Sequence, residues 1–207
     1  MAPTVKPIKD WKKIMLDTTC ICSLFTAQKP DIGDENIKFT KSLIEYLSNN
    51  NSSDSKPRTF YISTVTISEL LTRENDSEKI KRILSVLNSK NVEFLPFDLE
   101  SSLVFNRLLY PFLSKDALHE KAKEFGFKVN DYMMAREWIT RDYQIIATAN
   151  NYNADVILTA DKKTFYPLTI DCNMPCVLTY PDLFNKSEQF IIKYHQDKVD
   201  NFLKGKA

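Results

Sequence analysis

The chain has 207 residues, of which 43% are hydrophobic, and a formal net charge of +1 at pH 7. This length suits one domain with additions, and the near-zero charge excludes a strong nonspecific attraction to nucleic acid over the whole surface. With only three glycines and no glycine-rich phosphate-binding loop, a nucleotide cofactor held by such a loop is excluded too. No apolar run is long enough to cross a membrane, so we expect a cytoplasmic protein.

The four cysteines occur as two close pairs, Cys20 with Cys22 and Cys172 with Cys176. Neither pair has the C-x₂-C spacing of zinc ribbons. A zinc site or a disulfide is therefore less favoured than four free thiols, most of them buried.

Short apolar runs alternate with amphipathic segments along the chain. Runs that end abruptly at polar residues are typical of buried strands, and apolar residues near the 3.6-residue period indicate helices. In chain order we predict a strand at 14–16, a helix at 35–47, a loop at 49–57, a strand at 59–62, a helix that contains Glu69, a helix at 77–87 and a strand at 92–95. Helical segments follow over 98–138 with breaks near Pro111 and Gly126, then a helix at 136–150, strands at 156–159 and 176–178, and a helical tail from 181.

Strands separated by helices predict an α/β protein with a mainly parallel sheet. We expect a single domain over 1–207, with a core at about 13–180. The additions are an N-terminal basic arm at 1–12, a helical addition at about 98–135 and a C-terminal tail at 181–207. The basic arm is predicted to be either a solvated terminus or a contact for phosphate.

Four acids stand out by their position. Asp17, Glu69 and Asp161 follow predicted strands closely, and the carboxyl ends of parallel strands open the binding crevice of α/β sheets. Asp142 lies in a helix whose small residues allow close packing on the sheet. Clustered carboxylates oppose each other's ionisation, and a hard divalent cation offsets this repulsion. Taken singly, each acid is as well explained by helix capping or by a solvated surface.

Four segments resemble, in order, the motifs of PIN-domain nucleases: MLDT at 15–18, ISEL at 67–70, DYQIIATA at 142–149 and LTADKKTF at 158–165. The last two segments are the most specific. The resemblance implies a three-layer α/β/α sandwich with a mainly parallel five-stranded sheet. It implies that four acids bind Mg²⁺ or Mn²⁺, namely Asp17, Glu69, Asp142 and Asp161. It also implies that Thr18 and Thr159 place hydroxyl groups near the metal and support these ligands.

The activity that this resemblance implies is metal-dependent hydrolysis of phosphodiester bonds in RNA or DNA. The branch most similar is that of VapC-type toxin ribonucleases, which implies an antitoxin protein as partner and a homodimer as assembly. An RNA-processing ribonuclease and a flap-type DNA nuclease stay open, as does a non-catalytic PIN-like module that binds nucleic acid or protein. The chain differs from short toxins in its long stretch between Glu69 and Asp142 and in its C-terminal tail.

The helical addition offers two interpretations. Its aromatic and basic side chains alternate along the sequence, as in surfaces that stack bases and hold phosphates. Its acids nearly balance the charge, and helical packing with a solvated face is the favoured interpretation. The residues concerned are Phe112, Phe125, Phe127, Tyr132 and Trp138 with Lys115, Lys121, Lys123, Lys128, Arg136 and Arg141.

Overall fold

The computed structural model describes residues 3–25, 34–49, 57–73, 76–112, 115–128 and 131–180. Most of the predicted loop at 49–57 and the whole C-terminal tail lie outside the described residues. Within those ranges, no helix is both long and apolar enough to span a bilayer.

Five parallel strands form one sheet in the order β3-β2-β1-β4-β5. Each strand is an apolar run of three to five residues, and β4 is buried along its entire length. The strands are β1 Lys13–Leu16, β2 Thr59–Ser63, β3 Val92–Leu95, β4 Val156–Thr159 and β5 Cys176–Leu178. All five predicted strands are confirmed, and the sheet is parallel throughout.

Helices cover both faces of this sheet. They are α1 Thr18–Phe25, α2 Asp34–Asn49, α3 Thr64–Arg73, α4 Ser77–Leu87, α5 Leu99–Leu109, α6 Lys115–Glu124, α7 Tyr132–Asn151 and α8 Phe165–Asp171. Short 3₁₀ helices lie at Ile8–Asp10 and Tyr110–Phe112. Helices α1 and α8 were not predicted from the sequence. They are the shortest of the described α-helices and hold only two turns each.

Alternate residues of β1 belong to two separate cores. Ile14 and Leu16 pack into a core with side chains of α1, α2 and α4, whereas Met15 packs into a second core with side chains of α6, α7 and α8. Successive side chains of a strand point to opposite faces, so the sheet separates the two cores. The predicted three-layer α/β/α architecture is confirmed.

The helical addition is part of the second helical layer. Asp98 caps α5 by accepting a hydrogen bond from the Ser101 N–H and also accepts one from the Tyr152 hydroxyl, at 2.8 and 2.7 Å. Lys121 is buried and pairs with Asp171 at 2.6 Å, so it is not exposed for a phosphate contact. Phe125 packs against the second core, as the packing interpretation of this region predicted.

The predicted break near Gly126 is a helix end. Gly126 has a φ of 80°, a left-handed conformation that is costly for residues with a Cβ. The Phe127 N–H reaches back to the Ala122 carbonyl at 3.0 Å, which closes the end of α6 as in common glycine caps.

At the amino end of the sheet, part of the basic arm folds back onto β4. The Asp155 carboxylate accepts hydrogen bonds from the Lys6 ammonium at 2.7 Å and from the Lys12 and Lys13 N–H groups at 2.9 and 3.0 Å. This arm is therefore not frayed along its whole length, and the Lys6 ammonium pairs with Asp155 while its side chain stays 60% exposed.

Candidate active site

Asp17 lies where β1 ends and α1 begins. Its backbone N–H donates to the Leu158 carbonyl at 3.0 Å, which extends the pairing of β1 with β4 by one residue and places Asp17 beside Thr159. Its Oδ2 atom accepts hydrogen bonds from the hydroxyls of Thr19 at 2.6 Å and Thr159 at 2.8 Å. Its Oδ1 atom accepts one from the Thr18 N–H at 2.6 Å. The carboxylate is therefore held in one orientation by two chain segments that are far apart in sequence.

Burial raises the pKa of Asp17 from 3.8 to about 6, because a carboxylate loses its hydration in a site that is only 3% exposed. The hydroxyls of Thr19 and Thr159 and the neighbouring N–H groups act in the opposite direction without cancelling this effect. All of these donors are neutral groups. A cation beside Asp17 would favour its ionised form further.

Glu69 is joined to Asp17 through Thr18. The Thr18 hydroxyl donates to Glu69 Oε2 at 2.6 Å, while the N–H of the same residue donates to Asp17. Glu69 is 8% exposed and lies one and a half turns into α3, which follows β2 directly. One threonine thus connects the ends of two adjacent strands, and the predicted role of Thr18 near a bound metal stays a prediction.

Asp161 begins the turn that leads into α8. Its Oδ1 atom accepts hydrogen bonds from the N–H groups of Lys163 and Thr164 at 2.7 and 2.9 Å, and Oδ2 accepts one from the Thr164 hydroxyl. Its backbone N–H donates to the Thr159 hydroxyl at 3.0 Å. Thr159 therefore touches both Asp17 and Asp161, although the side chain of Asp161 holds the turn before α8.

Asp142 lies on α7, half-buried and next to Arg141. The guanidinium of Arg141 is 3.8 Å from Glu69 Oε1, so this turn of α7 faces the turn of α3 that carries Glu69. Across the described ranges, no three His, Cys, Asp or Glu side chains gather closely enough to hold a metal ion. The structure links Asp17 to Glu69 and to Asp161 through threonines, and the set of four as metal ligands stays a prediction.

The donors around Asp17 suit Mg²⁺ or Mn²⁺ by their chemistry. They are carboxylate and hydroxyl oxygens, and the thiol nearest to them, Cys20, has a pKa raised by burial, which keeps it protonated. Mg²⁺ retains several waters and is often bound by one or two carboxylates together with substrate phosphates. Asp17 and Glu69 meet that requirement without a third acid.

Thr19 and Arg141 are two residues of this region that the motif comparison did not assign. The Thr19 hydroxyl donates to Asp17 Oδ2 and accepts a hydrogen bond from the Ala160 N–H at 2.9 Å. Its signal in the sequence is a hydroxyl two residues after an Asp that begins a helix. Arg141 gave no such signal, since its neighbour Glu69 lies far away in the sequence.

The four cysteines are free thiols, and Cys20 and Cys176 are buried. This agrees with the favoured interpretation of the cysteine pairs. His119 lies on α6, away from the acids, and His195 lies outside the described residues.

No family model matches the sequence, and no curated protein matches it. Among solved structures, the chain is similar to VapBC2 from Rickettsia felis bound to a DNA fragment from their promoter, with 15% identity and a TM-score of 0.48 over 80% of this chain and 98% of that one. It is also similar to a toxin–antitoxin complex from Klebsiella pneumoniae, with 16% identity and a TM-score of 0.47 over 81% of this chain and 98% of that one. DNA-bound VapBC from Salmonella typhimurium has 20% identity and a TM-score of 0.44 over 82% of this chain and 99% of that one.

Two of these neighbours carry the VapBC name.

Proposed function

We propose that this chain is a metal-dependent nuclease of the PIN type that hydrolyses phosphodiester bonds of RNA. One observation supports the proposal most strongly. Asp17 is a buried carboxylate at the carboxyl end of the central strand, its two oxygens accept hydrogen bonds from neutral groups of the described chain, and its pKa is raised to about 6. Such a group costs stability in the absence of a cation, and acids of this kind are concentrated at functional sites.

Each of the four acids has a role in this proposal. Asp17 and Glu69 bind a Mg²⁺ or Mn²⁺ ion, and Asp142 and Asp161 complete its surroundings directly or through water. Asp161 can keep its place at the start of α8, since a carboxylate has about four acceptor sites and three are occupied. When bound, the ion supplies an activated water and offsets negative charge on the phosphate.

The threonines of the site orient the acids. Thr18 sets the position of Glu69 relative to Asp17, and Thr159 and Thr19 hold Asp17 Oδ2. Supporting hydrogen bonds of this kind typically change metal affinity or activity by about 10–100-fold when they are removed.

A cleavage assay tests the proposal. The variant Asp17→Asn/Asp142→Asn should cut single-stranded RNA in Mn²⁺ at least about a hundredfold more slowly than the wild type, since loss of a ligand should exceed loss of a supporting residue. Glu78→Gln/Glu120→Gln, which removes two exposed carboxylates from α4 and α6, should keep wild-type activity. Equal rates for wild type and Asp17→Asn/Asp142→Asn would rule out the catalytic role.

The competing function is a non-catalytic module that binds nucleic acid or protein. Calorimetry with Mn²⁺ separates the two, because a nuclease of this kind requires a site that is lost in Asp17→Asn, and a binding module does not. An antitoxin partner and a homodimer are further proposals that rest on the resemblance. Growth arrest on expression, relieved by the product of the neighbouring reading frame, would support the toxin function over RNA processing.

A further inference from the structure

A polar cleft between α3 and α7 opens beside Glu69. It has a volume of about 280 Å³, and its lining includes Ser68, Glu69 and Thr72 from α3 and Arg141 and Gln144 from α7. Glu69 is also the residue that Thr18 connects to Asp17. The cleft is therefore continuous with the candidate active site, on the side where α7 carries Asp142.

Arg141 is the cationic group of this cleft. Its guanidinium lies 3.8 Å from Glu69 and 4.0 Å from Glu137, and its side chain is 39% exposed. Both distances exceed the 2.7–3.2 Å of an N–H···O hydrogen bond, so these two acids orient the guanidinium without saturating its five N–H donors. The group can thus donate hydrogen bonds to a ligand that enters from solvent.

The other polar groups of the cleft suit an oxyanion. Hydroxyls of Ser68 and Thr72 stand on the α3 side and the Gln144 amide stands on the α7 side. The Ser68 hydroxyl and the Gln144 amide can donate hydrogen bonds to phosphate oxygens, whereas the Thr72 hydroxyl donates to the Ser68 carbonyl at 2.7 Å. A planar guanidinium matches two phosphate oxygens at once. The volume is below the roughly 300–1,000 Å³ of pockets that enclose drug-sized ligands, as expected for a channel that holds one sugar–phosphate unit of a longer strand.

We propose that Arg141 binds a backbone phosphate of the RNA strand in the α3–α7 cleft, next to the bond that is cut. This inference rests on the proposed nuclease function for its substrate, and it adds a specific phosphate-binding residue that the four motifs do not include. Because the contact is made to phosphate, it contributes to affinity for any single-stranded sequence.

Binding without cleavage tests this inference. A short fluorescent single-stranded RNA is titrated with protein in EDTA at several salt concentrations, and affinity is read from anisotropy. Arg141→Gln should weaken binding about fivefold to tenfold and reduce the slope of log affinity against log salt by about 0.7, the value for one lost phosphate contact on a single strand. Arg141→Lys should keep the slope, since the charge is retained, with part of the affinity lost.

Arg136→Gln is the matched control, since it removes the same charge from an exposed position of the same helix outside the cleft. It should leave both affinity and slope close to those of the wild type. Equal effects of Arg141→Gln and Arg136→Gln, or no effect of either, would overturn the inference. Since cleavage is not measured, this failure is distinct from a failure of Asp17→Asn/Asp142→Asn to lose activity, and thermal unfolding of each variant shows that it is folded.

Discussion

Two aspartates at opposite ends of the sheet have contrasting surroundings. Asp155 precedes β4 at the amino end and accepts hydrogen bonds from the Lys6 ammonium and two backbone N–H groups. Burial acts to raise its pKa, but the bonds from Lys6, Lys12 and Lys13 outweigh burial, and the pKa is lowered. Asp17 follows β1 at the carboxyl end, the groups that donate hydrogen bonds to it are neutral, and its pKa is raised. The ionised form of Asp155 is stabilised by its neighbours, whereas at Asp17 the effect of burial exceeds the stabilisation that the neighbours provide.

Under the proposed function, this difference separates a structural acid from a catalytic one. A folded chain gains stability from an ionised carboxylate that meets cations and N–H groups, and it loses stability where burial exceeds the compensation. Burial of Asp17 therefore points to a ligand that completes its surroundings. Strand-end position alone does not make the distinction, because both residues lie at strand ends.

The largest expected effect is on stability at neutral pH. Between pH 3.8 and about 6 the folded chain keeps a proton on Asp17 that the unfolded chain has released, so stability falls as pH rises through this interval. Asp17→Asn removes this fall in stability with pH, since the amide stays neutral. The threonine hydroxyls can accept hydrogen bonds from the amide as well as donate to it. In EDTA at pH 7 we expect Asp17→Asn to be more stable by about 3 kcal/mol, measured by urea unfolding.

Added Mn²⁺ should stabilise the wild type and not Asp17→Asn, because a ligand stabilises only the state that binds it. If Asp17→Asn is less stable than the wild type in EDTA, then Asp17 is a structural acid like Asp155, and the contrast between the two ends is lost.

A smaller effect is expected at Thr19, which holds Asp17 Oδ2 and accepts the Ala160 N–H. Thr19→Val keeps the shape and removes the hydroxyl, so RNA cleavage should fall about tenfold. Because the hydroxyl lowers the pKa of Asp17, its loss should also move the pH profile of stability, measured in EDTA, to higher pH. Thr19→Ser should restore both the rate and the profile. A reduced rate with an unchanged profile would mean that Thr19 acts only on the fold.

The smallest effect belongs to the structural acid. Asp155→Asn should destabilise the protein by about 1–2 kcal/mol at pH 7, since bonds to a charged acceptor become bonds to a neutral one. The stability that Asp155 contributes is present above pH 3.8 and is lost as pH falls through its lowered pKa, so the two proteins should converge in strong acid. RNA cleavage measured below the unfolding temperature should be unchanged, in contrast to Asp17→Asn.

Much of the fold could be predicted because strands and helices leave local patterns. The apolar run of β4 and the periodic apolar face of α4 identified both elements, and the bounds of each agree with the prediction. The two-turn helices α1 and α8 were missed because two turns contain too few residues to establish a period. Gly126 marked the end of α6, since its backbone conformation suits glycine.

The site was predictable in part. The position of Asp17 after a buried run and the motif around Asp161 indicated a candidate site at the carboxyl end of the sheet, but they did not reveal that the Asp161 side chain holds the turn before α8 or that Thr19 holds Asp17. Those are contacts between particular atoms, and the same motif letters are compatible with several side-chain orientations.

The sequence by itself determined the positions of the five strands and of the longer helices along the chain, and it singled out the four acids as candidates, since these depend on local hydrophobic pattern and on residue type. Tertiary structure alone decided that Thr18 joins Asp17 to Glu69, that Arg141 faces Glu69 across a cleft, and that Asp17 is buried among neutral donors while Asp155 is paired. The physical reason is that the pKa of a carboxylate and the partners of a guanidinium depend on hydration and on charges from distant segments, which only the packed chain brings together.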